Sequence, residues 1–498
     1  RLGLRRPLMG VDMPLVPVLC MMEVTGIRFL PDYCSQLSRH MMAKIQELEK
    51  EVAQYSSKPD FNVASAEQVA GLLYGDLGLP APPVPAGRKH PSTGEEILQQ
   101  LQDQHPAVAA VLGHRALNKV KTAFTDSLPA HKIREAICYK AIFEALEEEN
   151  GDQEEETTED CFPMHTAEKF RLHPNWNQCS ARTGRLSCSK PGLQQIPKNS
   201  LSEMDGLGFN IRDAFRSSND EYTLVAADYS QIEMRVMAHC CQDPNLLSVF
   251  QEKRDVYAAV AARVFGAAAP EEISPDQRAK AKTVCLGIIY GMGPQQASKR
   301  LKIPVKEARE LIDKFLASYP RINEFCRKAK AFVLKSGYVE TLTGRRRYLH
   351  HIAAQTDERR RQAERQAVNS IIQGSASDIL KLAMLAVNRH LREHWESGGD
   401  PKGNNQRSFD KQTGQEEEGG LSPSSSHPSY PIPRPRLLLT IHDELVFECP
   451  SSEEDMARFK KMLTSTMQEE VPKLIGMHID LPINMSVGIS WGSMRSVL

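Results

Sequence analysis

The sequence predicts an α+β protein, because long segments with helical spacing of apolar residues surround a few short β-rich runs. Residues 35–55 place apolar side chains at helical intervals with charges between them, and the stretch to about residue 130 reads as mostly helical. A second helical region is expected from about residue 244 to 394. The β-rich runs are residues 222–226, 437–441 and 445–449. With 498 residues the chain is too long for one core, so several subdomains are expected.

The composition is that of an ordinary globular protein, with 41% hydrophobic and 25% charged residues. No apolar run reaches the roughly 18 residues of a membrane span, so no membrane partner is expected. The chain begins at Arg1 without a signal-peptide pattern, and we expect it to be a piece of a longer protein. The eleven cysteines show no C-x-x-C spacing, which favours reduced thiols in an intracellular compartment.

The formal net charge of -1 does not indicate a nucleic-acid-binding protein, but acidic and basic residues are clustered in separate segments of the sequence. Residues 147–160 are strongly acidic, whereas residues 345–347 and 359–361 are arginine triplets. Local basic patches, not the total charge, favour phosphate binding. The acidic run and a Gly-, Ser- and Pro-rich segment at about 397–435 are too poor in apolar residues to fold alone. Both are expected to be insertions in a folded domain.

Two aspartates stand at the ends of predicted strands, roughly 215 positions apart. Asp228 follows the run 222–226, and Asp443 lies in the turn of the predicted hairpin. Alone, each would be read as a turn former or a helix cap. Together, two carboxylates on neighbouring strands can hold two divalent cations for an in-line phosphoryl displacement. Hard oxygen ligands favour Mg²⁺, with Mn²⁺ as a substitute.

A stripe of four residues runs along the helix predicted around residues 277–291. Arg278, Lys282, Leu286 and Tyr290 recur every four positions, so they share one helix face. Two cations, an apolar residue and an aromatic ring suit a nucleoside triphosphate lying lengthwise, with its phosphates on the cations. The simpler alternative is an amphipathic helix with a solvated basic end.

Six segments in order resemble the motifs of family A DNA polymerases, the family of bacterial DNA polymerase I. Residues 228–235 (DYSQIEMR) resemble motif A, residues 278–291 motif B on the family's O helix, and residues 442–444 (HDE) motif C. The other matches are residues 183–187 (TGRLS), 194–197 (QQIP) and 364–374 (ERQAVNSIIQG). The opening residues 13–19 and the thumb-like residues 119–122 agree as well. The resemblance covers nearly the whole chain except the two insertions.

The resemblance implies the right-hand polymerase fold, in which a palm with an antiparallel sheet lies between helical fingers and a helical thumb. By position, residues 1–21 would lead into the core, 22–165 would form the thumb with its acidic insertion, and 246–375 the fingers. Residues 166–245 and 376–498 would form the two parts of the palm, the second with the insertion near 397–435. The chain begins where a 3′–5′ exonuclease domain would end, so no exonuclease domain is expected in it.

The resemblance also assigns roles to individual residues. The metal ligands would be Asp228, Asp443 and the main-chain carbonyl of Tyr229, and Glu444 and Lys282 would complete the catalytic set. The nucleotide would contact Arg278, Lys282, Leu286, Tyr290, Gln231, Tyr257 and Glu233, the last lying under the sugar to exclude a 2′-hydroxyl. The primer–template contacts would be Arg185, Gln194, Gln195, Arg365, Asn369, Gln373, His442, Lys119 and Lys121.

Some of these DNA contacts have a physical reason in the minor groove. Every correct base pair offers acceptors there, so donors such as Arg185 and Gln373 can test pair shape without reading sequence. Three positions depart from the family's pattern. Leu286 stands where Phe or Tyr is usual, Gly192 where Asn is common, and Tyr257 where bacterial members have His. These departures put sugar discrimination and one template contact in question but remove no metal ligand.

The implied function is template-dependent addition of deoxynucleoside triphosphates to a primer 3′-hydroxyl, by a monomeric core. The insertions and residues 344–349 look more like the eukaryotic repair polymerases theta and nu, which implies the nucleus and a role in repair or translesion synthesis. One alternative is a single-subunit RNA polymerase, against which Glu233 argues. The other is an inactive DNA-binding scaffold, against which the intact Asp228, Asp443, Arg278 and Lys282 argue.

Overall fold

The computed structural model describes residues 4–84, 87, 89–134, 169–198, 210–353, 357–396 and 434–497. The insertion predicted at 147–160 lies outside the described residues, and so does nearly all of the one predicted at 397–435. The described part is a mixed helix and sheet structure, as expected from the sequence.

The N-terminal part of the chain is helical, as predicted. Its helices are α1 Arg5–Pro7, α2 Met13–Thr25, α3 Pro31–Ala53, α4 Ala66–Ala70, α5 Glu95–Leu101 and α6 Pro106–Val120. Along α3, Cys34, Leu37, Met41 and Ile45 are buried at helical intervals, so one face of the helix enters the core. The helix predicted at 35–55 is therefore confirmed, and α6 packs against it.

The central part contains the helices that face the candidate site. They are α7 Ile232–Cys241, α8 Pro244–Gln251, α9 Val256–Phe265, α10 Pro275–Ile289, α11 Pro294–Leu301, α12 Val305–Ser318, α13 Pro320–Ser336 and α14 Asp357–Leu391. A capping box fixes the start of α10: Ser274 accepts from the Gln277 N–H, and the Gln277 side chain accepts from the Ser274 N–H. The predicted helical region is confirmed, except that a strand pair interrupts it. Within residues 434–497, two further α-helices are described, α15 Glu453–Thr464 and α16 Val471–Leu474.

Thirteen short strands are described, and every strand pair is antiparallel. They are β1 Ile27–Phe29, β2 Ile133–Arg134, β3 Phe170–Leu172, β4 Asn175–Asn177, β5 Ser187–Ser189, β6 Phe215–Arg216, β7 Tyr222–Tyr229, β8 Tyr338–Glu340, β9 Arg346–Tyr348, β10 Arg436–Ile441, β11 Glu444–Pro450, β12 Ile483–Gly488 and β13 Arg495–Ser496. A four-stranded sheet has the order β2-β3-β1-β6, and two further pairs are β4-β5 and β8-β9.

The five-stranded sheet, in the order β10-β11-β7-β12-β13, places the candidate site. The predicted hairpin at 437–449 is confirmed as β10 and β11. The strand predicted from residue 222 and ending at Asp228 is confirmed as β7, which continues one residue further, through Tyr229. Its ladder is extended at that end by pairing with β11 on one side and β12 on the other.

Among the described residues, two helical stretches are long and apolar enough to cross a membrane by length and composition, Arg5–Thr25 and Glu358–Leu391. Charged residues interrupt both stretches, so neither is the uninterrupted apolar run of about 18 residues that is expected of a membrane span. The second stretch is 83% buried inside the protein, which is typical of a core helix. The first is 28% buried and exposes Leu8, Met9 and Met13.

A buried ionic network ties the N-terminus to α14. Arg345 donates to both carboxylate oxygens of Asp12, at 2.7 and 2.9 Å, and to Asp378 at 2.8 Å. Lys381, only 1% exposed, donates to Asp12 at 3.0 Å. The hydroxyl of Thr341 also donates to Asp378, at 2.7 Å. The network therefore fixes residue 12 against the β8-β9 hairpin and α14.

Candidate active site

The predicted metal-binding aspartates lie at one end of the five-stranded sheet. Asp228 is the penultimate residue of β7, and Asp443 lies in the two-residue turn between β10 and β11. The N–H of Tyr229 donates to the carbonyl of Asp443 at 3.3 Å, which joins the two chain segments. Glu444 and Asn484 are the direct neighbours of Asp228 on the two flanking strands. Residues paired across strands share a face, so these side chains converge with Asp228.

The electrostatics of this sheet end favour a bound cation. Burial, and then the charges of Glu444 and Asp443, raise the pKa of Asp228 to about 6. Burial also raises the pKa of Asp443, and the charges of Arg185 and His442 offset part of that effect. Within the described residues no preformed group of three or more His, Cys, Asp or Glu side chains is gathered as a metal site. The hard oxygen donors and their mutual repulsion nevertheless fit a divalent cation.

Glu233 is the centre of a buried hydrogen-bond network beside the carboxylates. Its side chain, 7% exposed, accepts from Arg185 at 2.7 Å and from the Tyr290 hydroxyl at 3.1 and 3.2 Å. The Gln373 amide lies at 3.4 Å. Arg185 also lies 3.6 Å from Asp443. The structure therefore brings together residues that the sequence assigned separately to the sugar, the base and the primer–template.

The predicted stripe lies on α10, but Tyr290 falls just beyond the end of the helix. Arg278 is paired with Asp255 at 2.6 Å, and both Arg278 and Lys282 lie 5.7 Å from the centre of the Tyr257 ring. Leu286 is half-buried and packs against the core. Tyr290 caps the end of α10, where its N–H still donates to the Leu286 carbonyl at 3.0 Å, and its hydroxyl reaches Glu233.

The other predicted residues have varied environments. Gln231 has φ 46° at the start of α7, and His442 has φ 55° in the β10-β11 turn, where it is exposed. The Gln194 amide donates to the carbonyls of Leu186 and Thr440, so it braces the backbone, while Gln195 is exposed. Lys119 is exposed on α6, and Lys121 pairs with Asp126 at 2.7 Å.

Two predicted DNA contacts lie on α14. Arg365 is exposed and packs against Gly291, where φ is +68° and a Cβ atom would lie 2.4 Å from the Arg365 Cγ. Only glycine leaves room for this approach. The Asn369 Oδ1 is buried and has no hydrogen-bond partner among the described residues. Beyond Tyr290, a cleft of about 400 Å³ is lined by Gly291, Gly293, Gln295, Lys330, Arg361 and Arg365.

The sequence interpretation missed three residues of this site. Lys198 lowers the pKa of Asp228 through its charge and directly follows the QQIP motif, which is the signal that could have found it. Asp255 stands two residues before Tyr257 and pairs with Arg278. Asn484 is the cross-strand neighbour of Asp228, and nothing in the local sequence marks it.

Comparisons with known proteins identify the family. The sequence profile described as DNA polymerase family A matches residues 31–493. DNA polymerase I of Chloroflexus aurantiacus is 34% identical over 97% of this chain and 43% of its own length. The thermostable DNA polymerase I of Thermus thermophilus is 33% identical over 97% of this chain and 48% of its own length. The chain thus spans less than half the length of these relatives.

A solved structure agrees with this match. The POL domain of Pol1 from M. smegmatis, in a complex with DNA primer-template and dNTP, superposes with a TM-score of 0.76 at 26% identity. The superposition covers 99% of this chain and 72% of that one. The mixed helix and sheet fold therefore resembles a polymerase domain over its whole length. With the profile match across most of the sequence, the chain belongs to DNA polymerase family A.

Proposed function

We propose that this chain is the catalytic core of a template-dependent DNA polymerase, which adds deoxynucleoside triphosphates to a primer 3′-hydroxyl. The observation that carries the proposal is the meeting of Asp228 and Asp443 at one sheet end with the Glu233 network. The relatives named DNA polymerase I, and the solved relative with primer-template and dNTP, support the same reaction.

The right-hand description is part of this proposal. The five-stranded sheet suits the palm, made from residues 166–245 and 376–498. Helices α9 to α13 lie in the proposed fingers, residues 246–375, and α8 crosses their first boundary; α3 to α6 lie in the proposed thumb, residues 22–165. Residues 1–21 would lead into the core, and no part of this chain is assigned to an exonuclease domain.

Asp228, Asp443 and the main-chain carbonyl of Tyr229 would hold the divalent cations, Mg²⁺ or its substitute Mn²⁺. When bound, two such ions would stabilise charge on the attacking and leaving oxygens of the phosphoryl transfer. Arg185 would leave the cation position open, because it lies closer to Glu233, at 2.7 Å, than to Asp443, at 3.6 Å. Glu444 adds negative charge beside Asp228 and would strengthen cation binding.

The chain's own residues would bind and orient the nucleotide. Arg278 and Lys282, on the exposed side of α10, would bind the triphosphate, and the Tyr257 ring that both approach would help to position them. Leu286 and Gln231 would lie near the sugar and base. Glu233 would exclude a nucleotide with a 2′-hydroxyl. Tyr290 would lie beside the templating base, and its hydroxyl would keep Glu233 in position.

The remaining residues would contact the primer–template. Arg185 and Gln373 are donors already directed to the site, and their N–H groups that are not engaged by Glu233 could donate to minor-groove acceptors. Asn369 has an amide oxygen without a partner among the described residues, as suits a group that awaits a ligand. The further contacts would be Arg365, His442, Gln195, Lys119 and Lys121, with Gln194 as a brace of the backbone.

We also propose a cellular setting, which rests on the resemblance to polymerases theta and nu. The protein would act in the nucleus, in DNA repair or translesion synthesis, as a monomeric core of a longer chain. We propose no membrane partner, because the longer apolar helix is mostly buried and carries Arg365, Asn369 and Gln373.

A primer-extension assay with Mg²⁺ tests the proposed reaction. We expect the wild-type protein to extend a recessed primer with dNTPs in preference to rNTPs, and Asp443→Asn to lower extension below a few per cent while DNA binding persists. The reason is that a neutral amide removes charge from the cation site. The matched control is Asp313→Asn, an exposed position on α12.

Three outcomes would contradict parts of this proposal. Extension by Asp443→Asn near the wild-type rate would remove Asp443 from the mechanism. A preference of the wild-type protein for rNTPs would favour an RNA polymerase. DNA binding by the wild-type protein without any extension would favour a scaffold.

A further inference from the structure

Four arginines line a small cavity that the proposed reaction does not use. The cavity, of about 20 Å³, lies between the loop at 182–183, the β8-β9 hairpin and Ser370 on α14. Its arginines are Arg182, Arg345, Arg346 and Arg347. A volume of this size admits roughly one water-sized group, so a single oxygen atom can enter but a base cannot.

Two of the four arginines are neutralised by carboxylates. Arg345 is held by Asp12 and Asp378, as described for the ionic network. Arg346 donates to Glu340 at 2.6 Å, so the one acidic residue that lines the cavity is already paired.

The other two, Arg182 and Arg347, form no ion pair with a carboxylate among the described residues. Arg347 donates to the Ser370 hydroxyl at 2.7 Å, and this neutral group cannot balance its charge. Burial, and then the charge of Arg182, lower the pKa of Arg347, because both disfavour the protonated form. Two like charges held at one cavity are stabilised by an anion placed between them.

We propose that Arg182 and Arg347 bind a phosphate group of the DNA backbone, which places one oxygen in this cavity. The proposal rests on the proposed polymerase function, since it needs DNA on this face. Arg182 precedes Arg185 by three residues, and Ser370 follows Asn369. Both sides of the cavity are therefore adjacent in sequence to proposed DNA contacts. Guanidinium groups suit phosphate because they donate two parallel hydrogen bonds. A backbone contact carries no sequence information, as a polymerase that accepts any template requires.

The test measures binding of a primer–template to the protein without metal or nucleotide, as a function of salt. Arg182→Gln and Arg347→Gln should each weaken binding by about 3- to 10-fold at low salt, for every DNA sequence tried. The double variant should lower the slope of log K against log salt by about 1, the loss of one phosphate contact. Arg309→Gln on α12, which removes the same charge at an exposed position, should change neither.

A single uncharged methylphosphonate, moved along each DNA strand, identifies the phosphate. At one position it should weaken binding to the wild-type protein, and at that position it should have no effect on the double variant. Unchanged binding and salt slope in the double variant would overturn the proposal, as would an equal methylphosphonate effect in both proteins. Arg182 is exposed, so Arg182→Gln keeps the test valid if Arg347→Gln fails to fold.

Inorganic phosphate distinguishes a free anion from the DNA backbone. If phosphate raises the Tm of the wild-type protein but not of the double variant, while both bind DNA equally, the cavity binds free phosphate and the backbone assignment is wrong. Since binding is measured without catalysis, a wild-type protein that binds DNA but fails to extend a primer would contradict the proposed function alone.

Discussion

At the scale of single residues, Glu233 has the most demanding environment in the site. Burial raises its pKa, and the charge of Arg185 and the hydrogen bonds of Tyr290 and Gln373 offset part of that effect. The side chain is therefore held in place by three partners from three separate parts of the chain. Such a fixed carboxylate can act as a steric barrier, because it cannot rotate aside without breaking several hydrogen bonds.

Glu233→Ala should raise incorporation of ribonucleotides relative to deoxynucleotides. The carboxylate already accepts from three donors, so a 2′-hydroxyl would clash with it and be buried without a partner. An unpaired hydroxyl costs on the order of 1–3 kcal/mol, or roughly 5- to 150-fold in rate. The measurement is kcat/KM for one dNTP and its rNTP on one primer–template. Glu233→Gln keeps the shape and should keep most of the barrier. An unchanged ratio in Glu233→Ala would place the barrier elsewhere.

Asp255→Asn should lower KM for the nucleotide by about 2- to 5-fold without changing kcat. Asp255 forms an ion pair with Arg278 in the nucleotide-free protein, so the triphosphate must displace Asp255 before it can bind Arg278. An exposed ion pair of this kind contributes about 0.2–1 kcal/mol. Asparagine preserves the cap that Asp255 provides to α9. Asp276→Asn, which breaks the Lys280 pair at the start of the same helix α10, is the control. A higher KM in Asp255→Asn would mean that Asp255 orients Arg278 for binding.

At the scale of elements, the close approach of α10 to α14 depends on Gly291. This residue follows Tyr290, has a positive φ and lies against Arg365. The turn after α10 therefore positions the proposed base-side residue and a proposed DNA contact at the same time. A substitution in this turn should therefore weaken DNA binding as well as lower the free energy of unfolding.

Gly291→Ala should weaken primer–template binding, while Gly266→Ala should not. Both glycines have φ near +70°, so alanine should cost each about 1–2 kcal/mol of unfolding free energy. Only at Gly291 would the new Cβ displace a side chain, since nothing lies within 4 Å of one at Gly266. The measurements are urea unfolding and the Kd for a primer–template. Equal Kd values in the two variants would show that the position of Arg365 does not matter for DNA.

Much of the element structure was predictable, and the residues that were not share a physical reason. The hairpin at 437–449 and the helices at 31–53 and 275–289 were predictable because the spacing of residue types in the local sequence matches a strand or a helix. The strand ending at Asp228 was predictable to within one residue, but its pairing with β11 and β12 was not, because both neighbours are distant in the sequence. Asp255 and Asn484 were missed since their partners are distant in the sequence. The motif residues were found through their types and order, and their roles stay predictions.

At the scale of the whole molecule, the ionic network of Asp12 joins the N-terminal helices to α14 and the β8-β9 hairpin. Burial would raise the pKa of Asp12, but the hydrogen bonds and charges of Arg345 and Lys381 outweigh it and lower the pKa. Lys381 is almost fully buried, so its charge depends on this partner and on Asp378. Removal of one member leaves a buried charge with too few counter-charges.

Asp12→Asn should lower the free energy of unfolding by about 2–4 kcal/mol at pH 7. Since the folded pKa of Asp12 lies below its unfolded value of 3.8, the stabilisation is present above that pH and is lost as the pH falls further. The difference between wild type and Asp12→Asn should therefore shrink below about pH 4. Asp126→Asn, which breaks the more exposed pair with Lys121, should cost less than about 1 kcal/mol. Equal losses in both variants would make the Asp12 network no stronger than a surface pair.

The central position of β7 affects the synthesis of the protein on the ribosome. Both neighbours of this strand, β11 and β12, are translated more than 200 residues later. At a translation rate of about 5–20 residues per second, both edges of β7 stay unpaired for roughly 10 to 50 s. Unpaired strand edges promote aggregation unless helices or a chaperone cover them. A nascent chain also lacks Asp443 during that time. The proposed chemistry can therefore begin only after residue 443 has been translated and β11 has paired with β7.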